Sequence, residues 1–74
     1  MITANQLRSA RALLNWTQQD LAKRSGVSED SIREIESGKA EPRKNTLHAL
    51  IRAIDDAGVN FIMGDSPGVK FKFR

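Results

Sequence analysis

The densest chemistry in the chain lies between Ser28 and Ser37, read S-E-D-S-I-R-E-I-E-S. Ser28 is a strong N-cap residue, so the run reads as a helix in which Ile32 and Ile35, three apart, form the buried stripe. Glu29, Asp30, Arg33 and Glu34 are then left pointing outward. Carboxylates supply acceptors and a guanidinium supplies a rigid fork of donors. Side chains of this kind on one exposed face suit recognition by hydrogen bonds rather than bond-making.

Catalysis has little to work with. The 74 residues contain no cysteine and a single histidine, His48, which excludes a disulfide framework, a thiolate zinc site and an obvious metal centre. Nothing in the sequence places Ser25 or Ser28 beside His48 as an activated nucleophile. The chain reads as a small non-enzymatic domain that uses no metal or cofactor. It carries a net charge of +3, unevenly spread. Arg8 and Arg11 fall on the first helix, Lys39, Arg43 and Lys44 follow the acidic run, and Lys70, Lys72 and Arg74 end the chain. A basic rim around an acidic centre is compatible with phosphates gripped at the edges, and not with a nonspecific polycation. No continuous apolar h-region opens the sequence, and no stretch approaches the ~20 apolar residues that span a bilayer. With no cysteine, the expectation is a soluble, cytoplasmic protein without a membrane partner.

The elements that must position these side chains are legible from caps and periodicity. Thr3 with Gln6 makes a T-x-x-Q capping box, opening a first helix from about Ala4 to Leu14 with Leu7, Ala10, Leu13 and Leu14 on one face. Asn15 and Trp16 make the corner; Trp16 reads as a packing residue. Thr17 with Asp20 opens a second helix, which Lys23, Arg24 and Gly26 close. Val27 plugs the core between this helix and the next, and Gly38 stops the third. A helix held rigidly across a four-residue turn, with its N-terminal side chains free, is what insertion into the DNA major groove needs. A loop containing Pro42 spans Ala40 to Asn45, and a fourth helix is predicted from about Thr46 to Ala57 with the stripe Leu47, Leu50, Ile51 and Ile54. His48 lies off that stripe and reads as a solvated helix residue.

From Val59 the period becomes two. Val59, Phe61 and Met63 alternate with Asn60 and Ile62; a Gly64–Gly68 turn follows; then Val69, Phe71 and Phe73 alternate with Lys70, Lys72 and Arg74, which predicts a hairpin. An isolated hairpin is barely stable in water, so its apolar side must pack on the helices or on another chain. The expectation favours a partner chain, with Val59, Phe61, Met63, Val69, Phe71 and Phe73 as dimerisation residues. Lys70, Lys72 and Arg74 are either the wet face of an edge strand or phosphate contacts. The division is a helical domain over residues 1–58 and a hairpin over 59–74.

The runs T-Q-Q-D-L-A, G-V-S, S-I-R-E-I-E-S-G-K and T-L-H-A-L resemble the lambda-type Cro/repressor helix-turn-helix family, the xenobiotic-response-element type, over about Leu7 to Ile54. The resemblance implies a mainly α fold, a four-helix lambda-repressor-like domain, here with a C-terminal β-hairpin replacing the fifth helix that pairs subunits in phage repressors. It implies a homodimer on double-stranded DNA with a two-fold operator, and control of transcription. By the same resemblance Gln18 meets a phosphate or its neighbouring base, Glu29, Asp30 and Arg33 face base edges with Glu34 one turn further, and Lys39, Arg43 and Lys44 hold the backbone. Thr17 and Ser28, which open the two helices, complete the DNA-facing set. Glu36 is implied to pair with Arg11 as a structural ion pair. Adjacent acids are a departure from the glutamine, asparagine or arginine common at these positions; carboxylates accept from cytosine N4 but repel phosphates. The leading reading is a dimeric repressor or autoregulator, and the alternative an antitoxin-like module whose hairpin captures a partner protein by strand addition.

Overall fold

The computed structural model describes residues 2–73; Met1 and Arg74 lie outside the described residues. Four helices, α1 (Ala4–Leu14), α2 (Gln18–Ser25), α3 (Glu29–Glu36) and α4 (Lys44–Asp56), precede an antiparallel hairpin of β1 (Val59–Ile62) and β2 (Gly68–Phe71). This is the expected mainly α fold with its C-terminal hairpin. Each of the first three helices starts where a side chain satisfies its free backbone donors. The Thr3 and Thr17 hydroxyls accept from the N–H groups of Gln6 and Asp20, whose side chains return the bond to the threonine N–H, and the Ser28 hydroxyl accepts from Ser31 N–H. Gly26 closes α2 at φ 77°, and Gly58 turns α4 into β1 at φ 96°, both in the left-handed region that glycine enters cheaply.

The core is formed by Leu7 and Ala10 of α1, Leu21 of α2, Ile32 of α3, Leu50, Ala53 and Ile54 of α4, and Val59 of β1. Three expectations are corrected. Helix α4 begins at Lys44, not Thr46: Arg43 is extended after Pro42 and serves as N-cap without a side-chain bond, so no capping hydroxyl marks the start. Leu13 is exposed, because α1 buries Gln6, Leu7 and Ala10 and turns Leu13 away. The hairpin packs on its own helices. Val59 is wholly inside the core, and Phe61, Val69 and Phe71 lie partly buried against it, while Met63 and Phe73 stay exposed. The folded helices leave a surface beside α1 and α4 that these residues cover at no association cost.

Two polar contacts weld the hairpin in place. Buried Gln6 donates through Nε2 to the carbonyls of Ile62 (2.8 Å) and Gly68 (3.1 Å), while its Oε1 accepts from Thr3 N–H. Lys72 Nζ meets Asp55 Oδ1 at 2.8 Å, tying the end of β2 to α4.

Candidate nucleic-acid interface

The turn from α2 into α3 is held by its own side chains. Ser25 Oγ donates to Leu21 O at 2.7 Å and accepts from Val27 N–H at 3.1 Å, while Gly26 N–H donates to Ala22 O at 2.9 Å. Val27 turns inward against the core, as expected of a plug. Beyond it Ile32 anchors the inner face of α3, whose outward residues are thereby fixed in direction.

The far end of α3 is clamped by charge. Glu36 is only 3% exposed, and its carboxylate accepts from Arg11 twice, Nε to Oε2 at 2.7 Å and Nη2 to Oε1 at 2.8 Å. Arg11 also donates to Trp16 O at 2.9 Å, so one guanidinium joins α1, the α1–α2 corner and α3. Its hydrogen bond to Glu36 raises the Arg11 pKa above its already high usual value against the opposing effect of burial, leaving it charged at every working pH. Gln18 Nε2 donates to Glu36 Oε1 at 3.1 Å. One of its two amide N–H groups is therefore engaged within the fold, and the second N–H and Oε1 remain to meet a ligand. Arg8 adds a contact the sequence reading missed: it donates to the Glu36 main-chain carbonyl and to Asn5 Oδ1. Its place three residues before Arg11, on the same face of α1, was the available signal.

The outward face of α3 carries Glu29, Asp30, Arg33 and Glu34. Arg33 reaches back along its own helix, Nη1 to Asp30 Oδ1 at 2.8 Å and Nη2 to Glu29 Oε2 at 3.2 Å. These pairs are wet, with the Arg33 side chain 57% and Asp30 86% exposed. Glu34 is exposed without an ion-pair partner among the described residues. Ser31, exposed on the same helix, accepts from Ser28 Oγ at 2.9 Å and adds a hydroxyl not anticipated from the sequence.

The cations flank this face. Lys39 shares a shallow groove with Asp30, Arg33, Glu34 and Ser37, and Arg43 shares another with Ser31, Glu34 and Thr46. Lys44 follows at the first position of α4. Lys39, Arg43 and Lys44 are exposed and make no salt bridge among the described residues. Thr17 and Ser28 have their hydroxyls occupied in the caps that start α2 and α3. Lys72 is committed to Asp55, Lys70 points to solvent, and Arg74 lies outside the described residues. Trp16 is partly buried with Arg24 stacked 5.2 Å from its ring centroid, and His48 is exposed. Among the described residues no group of three or more His, Asp or Glu could hold a metal ion, and no helix is long and apolar enough to cross a membrane.

A profile for the helix-turn-helix family matches residues 7–55, more than half of the chain, and spans all of α2 and α3. The chain belongs to the helix-turn-helix family. It is similar to an HTH-type transcriptional regulator of Methanocaldococcus jannaschii, 55% identical over 38 residues that cover 51% of this chain and 58% of that protein. An HTH-type transcriptional regulator of Sinorhizobium fredii is 40% identical over 50 residues, 68% of this chain and 26% of the relative. The similarity thus spans less than two thirds of either relative's length. In helix-turn-helix terms α3 is the second helix of the motif, and the Arg11–Glu36 clamp holds it against α1 at the end away from its cap.

Proposed function

We propose that this helix-turn-helix protein is a sequence-specific transcriptional regulator that binds double-stranded DNA as a homodimer, with α3 in the major groove. The observation that carries the reading is the exposed row Glu29, Asp30, Arg33 and Glu34 on a helix immobilised by Ile32 inside and by Glu36 at its end. Lys39, Arg43, Lys44 and the free amide N–H of Gln18 grip phosphates around it, with Thr17 and Ser28 fixing where α2 and α3 begin. Phosphate contacts set register and affinity, and the α3 side chains set sequence preference.

The acids on α3 shape how Arg33 works. Exposed pairs within a helix contribute about 0.3–0.5 kcal/mol each, whereas a good bidentate contact to guanine is worth about 1–3 kcal/mol of discrimination. Arg33 therefore leaves Glu29 and Asp30 only for a matching base, and on DNA that offers none the net negative charge of the α3 face opposes close approach to the backbone. The arrangement favours selectivity over raw affinity. In a dimer the two α3 helices enter successive major grooves roughly 34 Å apart. The family profile and the names of the two relatives support the regulatory role. Selection of randomised duplex DNA on the purified protein at moderate salt tests the proposal: a two-fold motif with half-sites one helical turn apart is expected, and no enrichment defeats it.

A further inference from the structure

The apolar surface the hairpin keeps outside gathers at one strand edge. The sheet has two strands, so β1 has β2 on one side and no third strand beyond it among the described residues. Lys72 N–H donates to Gly58 O at 2.8 Å, which sets the phase of the antiparallel ladder. Asn60 opposite Lys70 and Ile62 opposite Gly68 are then the hydrogen-bonded pairs, and the main-chain N–H and C=O of Phe61 and Met63 point away from β2. Val59 is sealed in the core, so the accessible edge starts at Phe61. Ile62 and Met63 are 38% and 52% exposed there. A groove lined by Ile2, Leu47, Ile51, Phe61 and Met63 runs beside the edge.

Charge separates the two strands. Residues 57–64 carry no charged side chain, whereas β2 and its extension carry Lys70 and Lys72. Lysine on an edge strand discourages pairing, and β1 lacks that protection. The one charged residue lining the groove, Asp55, is already neutralised by Lys72.

We propose that the outer edge of β1 pairs antiparallel with β1 of a second copy of this chain, about a two-fold axis at Ile62. The outward groups lie symmetrically on either side of Ile62, so each Phe61 meets the partner's Met63 and four main-chain hydrogen bonds close. The two Ile62 side chains face each other at the closer, non-hydrogen-bonded spacing, with Cα atoms about 4.5 Å apart. A self-complementary edge favours an isologous dimer over an unrelated strand, because no charge is buried or left unmatched. The contact is confined to one short strand edge, so assembly is expected to depend on concentration. The pairing supplies the two-fold required by the DNA reading above, and rests on that reading only for its use.

The chain contains no cysteine, so Ile62→Cys places one thiol on the axis. Mild oxidation is expected to yield a disulfide-linked dimer, whereas Lys70→Cys, on the same sheet face but on β2, stays monomeric on a non-reducing gel. Ile62→Lys, at an exposed position, is expected to sediment as a monomer at concentrations where the unmodified protein is a dimer, with helical circular dichroism unchanged. It should keep the half-site base preference while losing tight binding to the two-fold site. A monomeric unmodified protein, equal cross-linking through Lys70→Cys, or a dimeric Ile62→Lys variant overturns the proposal. Cross-linking through Ile62→Cys without any DNA selectivity would instead remove the DNA reading and leave the interface standing.

Discussion

Glu36→Ala tests the clamp that orients α3. The carboxylate is almost fully buried and accepts two bonds from Arg11 and one from Gln18, while the Arg11 side chain is itself four-fifths covered. Removing Glu36 leaves a guanidinium that cannot shed its proton facing a cavity, a change that costs about 3–5 kcal/mol for a buried pair broken on one side. A chain of this length is expected to have about 4–11 kcal/mol of total stability. The variant should therefore lose a large share of it, read as a fall in urea midpoint at unchanged m-value. Combining Arg11→Met with Glu36→Leu should recover part of the loss, since an apolar replacement of both partners avoids the orphaned charge; a cycle of single and double changes is expected to give a coupling of about 1–3 kcal/mol. A loss below about 1 kcal/mol with no coupling, as for a solvent-screened surface pair, would refute the reasoning.

Further outcomes are expected elsewhere. Lys44→Ala should weaken binding to all DNA sequences alike and lower the slope of log K against log salt by about 1, measured by fluorescence anisotropy across salt concentrations. Gln6→Ala removes the donor shared by Ile62 O and Gly68 O and is predicted to cost about 1–3 kcal/mol in denaturant titration, with hydrogen exchange rising first in the hairpin amides. The Asp20 carboxyl is held below the usual aspartate range, first by the Thr17 backbone N–H and then by its hydroxyl. Its folded pKa is depressed, so its contribution is present above the ordinary aspartate value and lost as pH falls through the lowered one. Thermal melts of Asp20→Asn should consequently lose less stability than the unmodified protein on acidification below about pH 4, and equal losses would remove Asp20 from the account.

Much of the helical scaffold was legible because its signals are local. Thr3, Thr17 and Ser28 each cap the helix they were expected to open, and Gly26 and Gly58 sit where left-handed turns are needed. Spacing alone starts the fourth helix two residues late, at Thr46, because Arg43 offers no capping bond to recognise. What the sequence concealed depends on contacts far apart in the chain. The T-x-x-Q pattern marks Gln6 only as a capping partner, yet its amide also bridges to carbonyls 56 and 62 residues away. Alternation identifies the hairpin's apolar face without saying what covers it; the answer lies in its packing against α1 and α4, which period-two patterning does not encode. At the candidate interface the residue types on α3 were plain from helical spacing. The engagement of Arg33 by Glu29 and Asp30, and of Gln18 by Glu36, required rotamers that no spacing rule supplies.

Selection of randomised duplexes on the unmodified protein and on Arg33→Ala in parallel decides whether the outward face of α3 reads DNA. A two-fold motif is expected for the first, and for the second the same motif with information lost at one symmetric pair of positions and about 1–3 kcal/mol less specific affinity. Identical motifs from both proteins, or no motif from the unmodified one, would contradict it.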